Sequence, residues 1–398
     1  MGEQSIWRVL RSLVMPVYVP SVAGTLGIGL LLPVLPLYLR DVGLSFSEVA
    51  VVLGAVGIGA MIGGIPSGST MAHHDERALM AVSLVIMAAS TAVFGLTTAV
   101  MALVALRFAF GVGFVGLRLS RQTYVTARVE TGARGRALSL IGGSFRLSLL
   151  VGPVVGGFLA DSVGFTPTFL VCGAVTLVGL AGALDRGPGS RAAGLSNGER
   201  VPLFAALWRY RATLAKAGIP SGLVIAVRQG RYLAVPLIAA ELDLSLTAVG
   251  GLLAIGTGAD LLLFPVSGYV MDRFGRLYAI VPSFMLVTAG LVILGYADTA
   301  AEIALAGAVM GVGNGIGAGT MLTMASDLAP ALARGQVLSG LAVLQDTGTL
   351  LGPLIVGLVA DAAGVGASAF ALAAVMVLAT AWLVVIVGET GRVPEPES

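Results

Sequence analysis

The 398-residue chain has one cysteine (Cys172), two histidines (His73 and His74) and one lysine (Lys216). A single cysteine allows no intrachain disulfide and no cysteine-based metal site. The two histidines are adjacent, so they do not share a helix face, and a two-histidine metal clamp is not expected. Neither a metal nor a cofactor is expected. Charge is scarce as well. Asp, Glu, Lys and Arg make up 11% of the chain, against about 25% in a soluble domain. So few charges cannot cover a water-soluble surface, which argues against soluble enzymes and nucleic-acid-binding proteins. The net charge of +2 is too small to imply a polyanionic partner. Lys216 lacks the neighbours of a G-x-x-x-x-G-K-[ST] phosphate loop, so ATP is not expected to drive this chain. Met1 to Pro16 hold no short apolar region followed by a cleavage site, so no secretory leader is expected. Ile6 stands where N-myristoylation needs Ser or Thr.

What the chain has in abundance is apolar surface. The residues AVILMFWYC make up 57%, glycine contributes 56 positions, and mean hydropathy is +0.97. This composition belongs in a bilayer. A span needs about 20 apolar residues, and twelve runs meet that rule, near 13–39, 47–70, 78–97, 100–124, 138–161, 165–184, 213–240, 246–270, 277–296, 301–325, 337–360 and 366–388. Backbone groups in lipid must be satisfied within the segment, so the runs are helices. The alternating segments of about ten residues that mark a β-barrel are not visible. The loop arginines set the orientation. Arg8, Arg11, Arg77, Arg128, Arg134, Arg136, Arg273, Arg276 and Arg334 fall on one side, while the other holds Arg40 and otherwise mainly acids, Asp41, Asp161, Glu241, Asp243, Asp298 and Glu302. Both termini are therefore expected in the cytoplasm of a multi-pass plasma-membrane protein.

The long polar interruption from Asp185 to Ala212 holds Gly187-Pro188-Gly189 and a cluster of arginines. It separates two halves that superpose in sequence with a shift of 200 residues. Pro20-Ser21 meets Pro220-Ser221, Pro36-Leu37 meets Pro236-Leu237, Gly111-Val112-Gly113 meets Gly311-Val312-Gly313, Gly152-Pro153 meets Gly352-Pro353, and Ala160-Asp161 meets Ala360-Asp361. One shift that aligns several prolines and loop arginines predicts an all-α integral membrane fold of two pseudo-symmetric six-helix bundles. The expected division is 1–185, a cytoplasmic linker 186–212, and 213–398. Six spans per half make the copies parallel, with a site at their interface that rocking exposes to each side in turn.

Gly268-Tyr-Val-Met-Asp272-Arg273-Phe-Gly275-Arg276 resembles the G-x-x-x-D-R-x-G-R loop motif of the major facilitator superfamily. Its first-half counterpart starts at Gly68, but Ala72, His73 and Asp75 replace Asp, Arg and Gly, so Asp75 or Glu76 is expected to stand in. Arg107-Phe-Ala-Phe-Gly111-Val-Gly113 is similar to the family's R-x-x-x-G-x-G motif. Gly152-Pro153-Val-Val-Gly156-Gly157 is similar to the G-P-x-x-G-G motif of its drug/proton antiporters. Pro33-Val-Leu-Pro36-Leu-Tyr38 also looks typical. The glycines are expected to admit close helix approach, Pro153 to allow a bend, and Asp272 to meet the N-terminus of a helix in the other half. Gly68, Gly152, Pro153, Gly156, Gly157, Gly268, Asp272, Arg273, Gly275 and Arg276 are thus candidate gating residues. Gly111-Val-Gly113-Phe-Val-Gly116 also fits the dinucleotide fingerprint, but it lies in an apolar span rather than after a strand and is rejected.

Ionisable residues inside the bilayer mark functional candidates. Arg107, Arg118 and Arg121 fall within a sector of roughly 60° at 3.6 residues per turn. Arg146, Arg228, Arg231, Asp260 and Asp346 are the others, and Arg121 is assigned to the headgroup region. Asp260 and Asp346 are candidate proton carriers. Arg107, Arg118, Arg146, Arg228 and Arg231 are candidates for tuning them, for gripping an anion, or for pairing within the fold. The resemblance implies a secondary transporter for a small molecule, with protons as the coupling ion and the lipid bilayer as its setting. The expected activity is efflux of small, mostly hydrophobic compounds by a monomer. Transport of an organic anion by Arg228, Arg231 and Arg118 is the alternative, and a non-transporting membrane sensor is the alternative of another class. No nucleophile, metal or base constellation points to an enzyme.

Overall fold

The computed structural model describes residues 3–73, 75–185, 208–330 and 334–390. The expected linker therefore lies, over 186–207, outside the described residues, as does His74. Among the described residues twelve helical segments are long and apolar enough to cross a membrane, from Val14–Asp41 to Val365–Val387. Each falls within a few residues of its expected run, except that several extend further at one end. The helices are α1 (Glu3–Ser12), α2 (Val19–Asp41), α3 (Phe46–His73), α4 (Glu76–Phe94), α5 (Val100–Arg128), α6 (Thr131–Val163), α7 (Phe165–Ala183), α8 (Arg211–Glu241), α9 (Leu246–Phe274), α10 (Arg276–Gly295), α11 (Ala300–Ile316), α12 (Thr320–Leu328), α13 (Arg334–Ala363) and α14 (Val365–Trp382).

Two compact units emerge. One comprises Met1–Val42, Ala55–Glu199 and Ser245–Gly250; the other comprises Gly43–Gly54, Arg200–Leu244 and Gly251–Ser398. Within the first unit α2 packs on α6 and α7, and α4 on α5 and α7. Within the second, α8 packs on α13 and α14, and α10 on α11 and α14, which is the same scheme 200 residues on. The sequence repeat is thus a repeat of packing. Close backbone approach makes it possible. A Cβ on Gly152 would fall 2.6 Å from Gly29, and one on Gly352 would strike the Ala226 carbonyl. In lipid such contacts replace the hydrophobic drive that assembles helices in water.

The ends of the helices are specified locally. Asp75 caps α4 by accepting from the Arg77 amide at 3.2 Å. Thr299 and Glu302 form a reciprocal capping box at the start of α11, which satisfies two amides that the first turn would leave open. Amphipathic α1 lays Leu10, with Leu13 just beyond its end, against Tyr124 and Val125 of α5, Val129 just beyond that helix, and Ala137 and Ile141 of α6.

One departure from the expected elements matters for function. The tenth span, expected as one run over 301–325, is broken. Helix α11 ends at Ile316 and α12 starts at Thr320, with Gly319 at φ +79° between them. The cause is a ladder of glycines at alternate positions, Gly311, Gly313, Gly315, Gly317 and Gly319, where the first half has Val115, Leu117 and Leu119 at the matching last three. Glycine in a helix interior is unfavourable by up to about 1 kcal/mol each relative to alanine. Side chains satisfy the carbonyls near the break. The Ser283 hydroxyl donates to Gly313 O at 2.6 Å and the Ser267 hydroxyl to Ala318 O at 2.5 Å. Non-helical backbone at membrane depth is tolerated where protein buries it or where it lines a cavity.

Candidate functional site

The broken helix lines a cavity. The cavity has a volume of about 230 Å³ within the second unit and is lined by Gly317, Gly319, Met321 and Leu322 at the break, by Ser221, Val224, Ile225 and Arg228 of α8, by Ser283 and Phe284 of α10, and by Asn314 and Gln345. Its walls are mixed, with five apolar side chains facing one guanidinium, two amides and two hydroxyls. Gln345 is held in place, since its amide nitrogen donates to the Ser221 hydroxyl at 2.9 Å. Arg228 and Arg231 lie three apart on α8 and divide the work. Arg228 faces the cavity. Arg231 is buried and reaches the cavity wall through Asn314, whose amide, oriented oxygen-first, accepts from both of its terminal nitrogens. That orientation is set by the hydrogen bonds. The Arg231 guanidinium also stands 5.0 Å over the Tyr232 ring.

Neither intramembrane acid lines this cavity. Asp346 follows Gln345 on α13 and is buried. Asp260 is half-buried on α9, where its backbone packs against Gly315 of the glycine ladder. The remaining candidates belong to the first unit. Arg107 lies 4.9 Å from the Phe110 ring centroid, in a cleft with Leu31, Leu35, Phe94 and Phe169 that is too narrow to admit water. Its Nε is buried, with no hydrogen-bond partner among the described residues. Arg118 stands 6.0 Å over Phe114, and Arg146 is half-buried on α6. Arg121, assigned to the headgroups from sequence, is instead buried at 7% exposure.

The candidate gating residues also resolve by face. Gly152 and Gly156 meet Gly29 and Leu30 of α2, whereas Gly157 meets the Leu246 carbonyl and the Pro153 carbonyl meets Gly250. One motif thus presents two contact surfaces. Gly268 has open space where a Cβ would stand, and among the described residues no close approach is made there. For Gly68 the helix α3 is described but the side-chain surroundings are not. Gly275 has φ +102°, which favours glycine, and it starts α10. The Glu389 carboxylate accepts from the Arg276 and Leu277 amides at 2.8 Å each. Asp272 is exposed and meets Arg276 at 3.5 Å, Arg276 meets Asp327 at 3.1 Å, and the Arg273 guanidinium donates to the Tyr269 hydroxyl at 2.9 Å.

Asn314, Gln345 and the helix break escaped the sequence reading, which searched for charges. The signal for the break was present in the alternating glycines. Asn314 and Gln345 carry no signal beyond being polar within apolar runs.

Twelve apolar helices of membrane-crossing length among the described residues, in two repeated units with a small cavity beside a discontinuous helix, mark a multi-pass membrane protein. The family model described as Major Facilitator Superfamily matches residues 21–227 and 221–398, and the chain belongs to that family. An uncharacterised MFS-type transporter of Methanocaldococcus jannaschii is 19% identical over 362 residues, 89% of this chain and 93% of the relative. Multidrug resistance protein 2 of Bacillus subtilis is 26% identical over 153 residues, 38% of each chain. The solved structure of a bacterial homologue of the human lysosomal transporter Spinster has a TM-score of 0.74 at 15% identity, over 97% of this chain and 96% of that one, a likeness of fold.

Proposed function

We propose that the chain is a secondary active exporter that works by alternating access and moves small, mostly hydrophobic compounds out of the cell in exchange for protons. The observation that carries this reading is the cavity at the break between α11 and α12, where Val224, Ile225, Phe284, Met321 and Leu322 offer apolar contact beside a few convergent polar groups. At about 230 Å³ it lies below the ~300–1,000 Å³ of pockets that bury a whole drug-sized ligand, so it holds one part of a substrate. The G-P-x-x-G-G segment and the likeness to a multidrug resistance protein support efflux. Asp346 and Asp260 are the proton carriers in this reading, since an intramembrane carboxylate that alternately binds and releases a proton is the simplest coupling element. The moving bodies are 1–185 and 213–398, joined by the cytoplasmic linker 186–212. The protein sits in the plasma membrane as a monomer, with both termini in the cytoplasm.

A second reading, transport of an organic anion, is favoured by Arg228 on the cavity wall beside Gln345, because a guanidinium beside an amide recognises carboxylates. One experiment separates the two. Inside-out vesicles acidified within are offered lipophilic cations, neutral compounds and organic anions, and proton release is recorded. Release with cations or neutrals, lost in Asp346→Asn or Asp260→Asn while counterflow exchange persists, supports the exporter. Release with anions alone, lost in Arg228→Ala, replaces it with the anion reading. No release with any class overturns proton antiport.

A further inference from the structure

Asp161 and Asp361, which the 200-residue repeat brings into register, do the same thing at two places. Near the C-terminal end of α6, the Asp161 carboxylate accepts from the Leu246 amide at 3.1 Å, the Thr247 amide at 2.8 Å and the Thr247 hydroxyl at 2.6 Å. Near the end of α13, the Asp361 carboxylate accepts from the Phe46 amide at 3.1 Å, the Ser47 amide at 2.9 Å and the Ser47 hydroxyl. Each carboxylate thus caps the positive first turn of a distant helix, α9 or α3. A glycine lets each pair of backbones meet. Gly157 faces the Leu246 carbonyl, and Gly357 faces the Phe46 carbonyl and Ala50. The compact units reflect these grips. The first turn of α9 (Ser245–Gly250) clusters with the unit that holds Asp161, although the rest of α9 belongs to the other, and the start of α3 (Gly43–Gly54) clusters with the unit that holds Asp361.

We propose that Asp161 and Asp361 are a matched pair of latches on the non-cytoplasmic side, whose release is a step of the transport cycle. The proposal rests on the alternating-access reading, in which 1–185 and 213–398 move as bodies. Any such motion that parts α6 from α9, or α13 from α3, breaks three hydrogen bonds at each site. Both carboxylates are exposed, so water replaces the lost bonds and each latch is weak. A weak latch suits a population switch, where a few-fold bias at each of two sites decides which state dominates. The hydroxyls of Thr247 and Ser47 add a side-chain bond to each cap and make it more than a generic helix start.

The test uses the full chain in lipid nanodiscs with Cys172→Ser and nitroxides at Asp41→Cys and Glu241→Cys, which are repeat-equivalent, exposed positions. Pulsed electron resonance gives the ratio of long to short distances, and thermal unfolding is read in parallel. Asp161→Asn and Asp361→Asn are each expected to raise the long-to-short ratio about fivefold, the equivalent of one lost cap, and the double variant about 25-fold, because separated sites add in free energy. Thr247→Val and Ser47→Ala are expected to shift the ratio in the same direction by less, and they carry the test if an Asn variant fails to fold. A lowered melting temperature with an unchanged ratio overturns the proposal and leaves the carboxylates as plain helix caps. A single fixed distance in the parent protein, with and without substrates and a pH gradient, overturns the alternating-access reading itself.

Discussion

Glu76, the first residue of α4, is fully buried, and its carboxylate meets the Arg128 guanidinium at 3.3 Å. Two hundred residues on, Arg276 opens α10 and meets Asp327 at 3.1 Å. The pairing is kept and the signs are exchanged. The degraded first-half loop has therefore not lost its ion pair. It has replaced an arginine at the helix start with a glutamate, and the acid at the end of the neighbouring span with an arginine. Arg128 also lies 3.9 Å from the Tyr124 ring centroid, and Arg77 donates to the Tyr124 hydroxyl at 3.1 Å.

This pair gives the first prediction. Arg128→Ala strands a buried carboxylate and is expected to destabilise the first unit by about 3–5 kcal/mol, read as a lower melting temperature in detergent. Glu76→Gln is expected to cost less, because Arg128 keeps its ring contact and some exposure to solvent. The exchange Glu76→Arg with Arg128→Glu should recover part of the loss by reproducing the sign order of the second half. Equal losses in both single variants, without recovery in the exchange, would show that the pair contributes through packing alone.

The helix break is the second test. Gly319 holds φ +79° with open space around it, so Gly319→Ala is expected to cost about 1 kcal/mol from backbone conformation alone. A Cβ on Gly317 instead strikes the Ser283 hydroxyl, which itself holds Gly313 O. Gly317→Ala should therefore distort the cavity wall and lower transport by at least tenfold, while Gly319→Ala lowers stability with transport largely kept. Transport measured in reconstituted vesicles, next to melting temperature, separates them. The same loss of transport in both would mean that the break, not the wall at Ser283, is what the substrate needs.

These residues also show how much could be read beforehand. The spans, their number and the repeat were legible because lipid imposes one strong rule, an unbroken apolar helix of fixed length, and because Pro36 and Pro236, or Asp161 and Asp361, recur at one offset. The break between Ile316 and Thr320 obeys a weaker rule. Hydropathy stays high across Gly315 to Ala318, so an apolar count runs straight through it, and only backbone preference registers the change. The partnership of Glu76 with Arg128 was reachable only in part. The positions match those of Arg276 and Asp327 to within one residue, but with reversed signs a motif search sees a mismatch. Asn314 and Gln345 were not legible at all, since nothing local distinguishes a cavity amide from one facing another helix.

The third prediction contrasts two glycines on one helix. On α6 a Cβ at Gly156 would fall on the Leu30 backbone, whereas one at Gly143 meets nothing within 4 Å among the described residues. Gly156→Ala must push α2 and α6 apart, at an expected cost of about 1–3 kcal/mol, as overpacking usually exacts. Gly143→Ala is expected to raise stability by up to about 1 kcal/mol through helix propensity. Melting temperatures of the two purified variants check the pair. A loss at Gly143 as large as that at Gly156 would mean that Gly143 meets another element at some point in the cycle, and transport by that variant should then fall as well.

Arg107 carries the last prediction. Its guanidinium lies in a cleft with Leu31, Leu35, Ser90, Thr91, Phe94, Phe110 and Phe169, and among the described residues its buried Nε has no hydrogen-bond partner. The Phe110 ring face at 4.9 Å repays such a cation by about 0.5–2 kcal/mol. A central arginine costs up to about 2.5–3.5 kcal/mol on insertion scales. The balance is unfavourable, so this charge is expected to be held for function rather than stability. Arg107→Leu should raise the melting temperature and abolish transport, Arg107→Gln should abolish transport with little gain in stability, and Arg107→Lys should retain a fraction of the rate because the charge survives while the planar stack is lost. A destabilised Arg107→Leu that still transports would reverse the assignment, making the arginine a packing element whose stem fills the cleft.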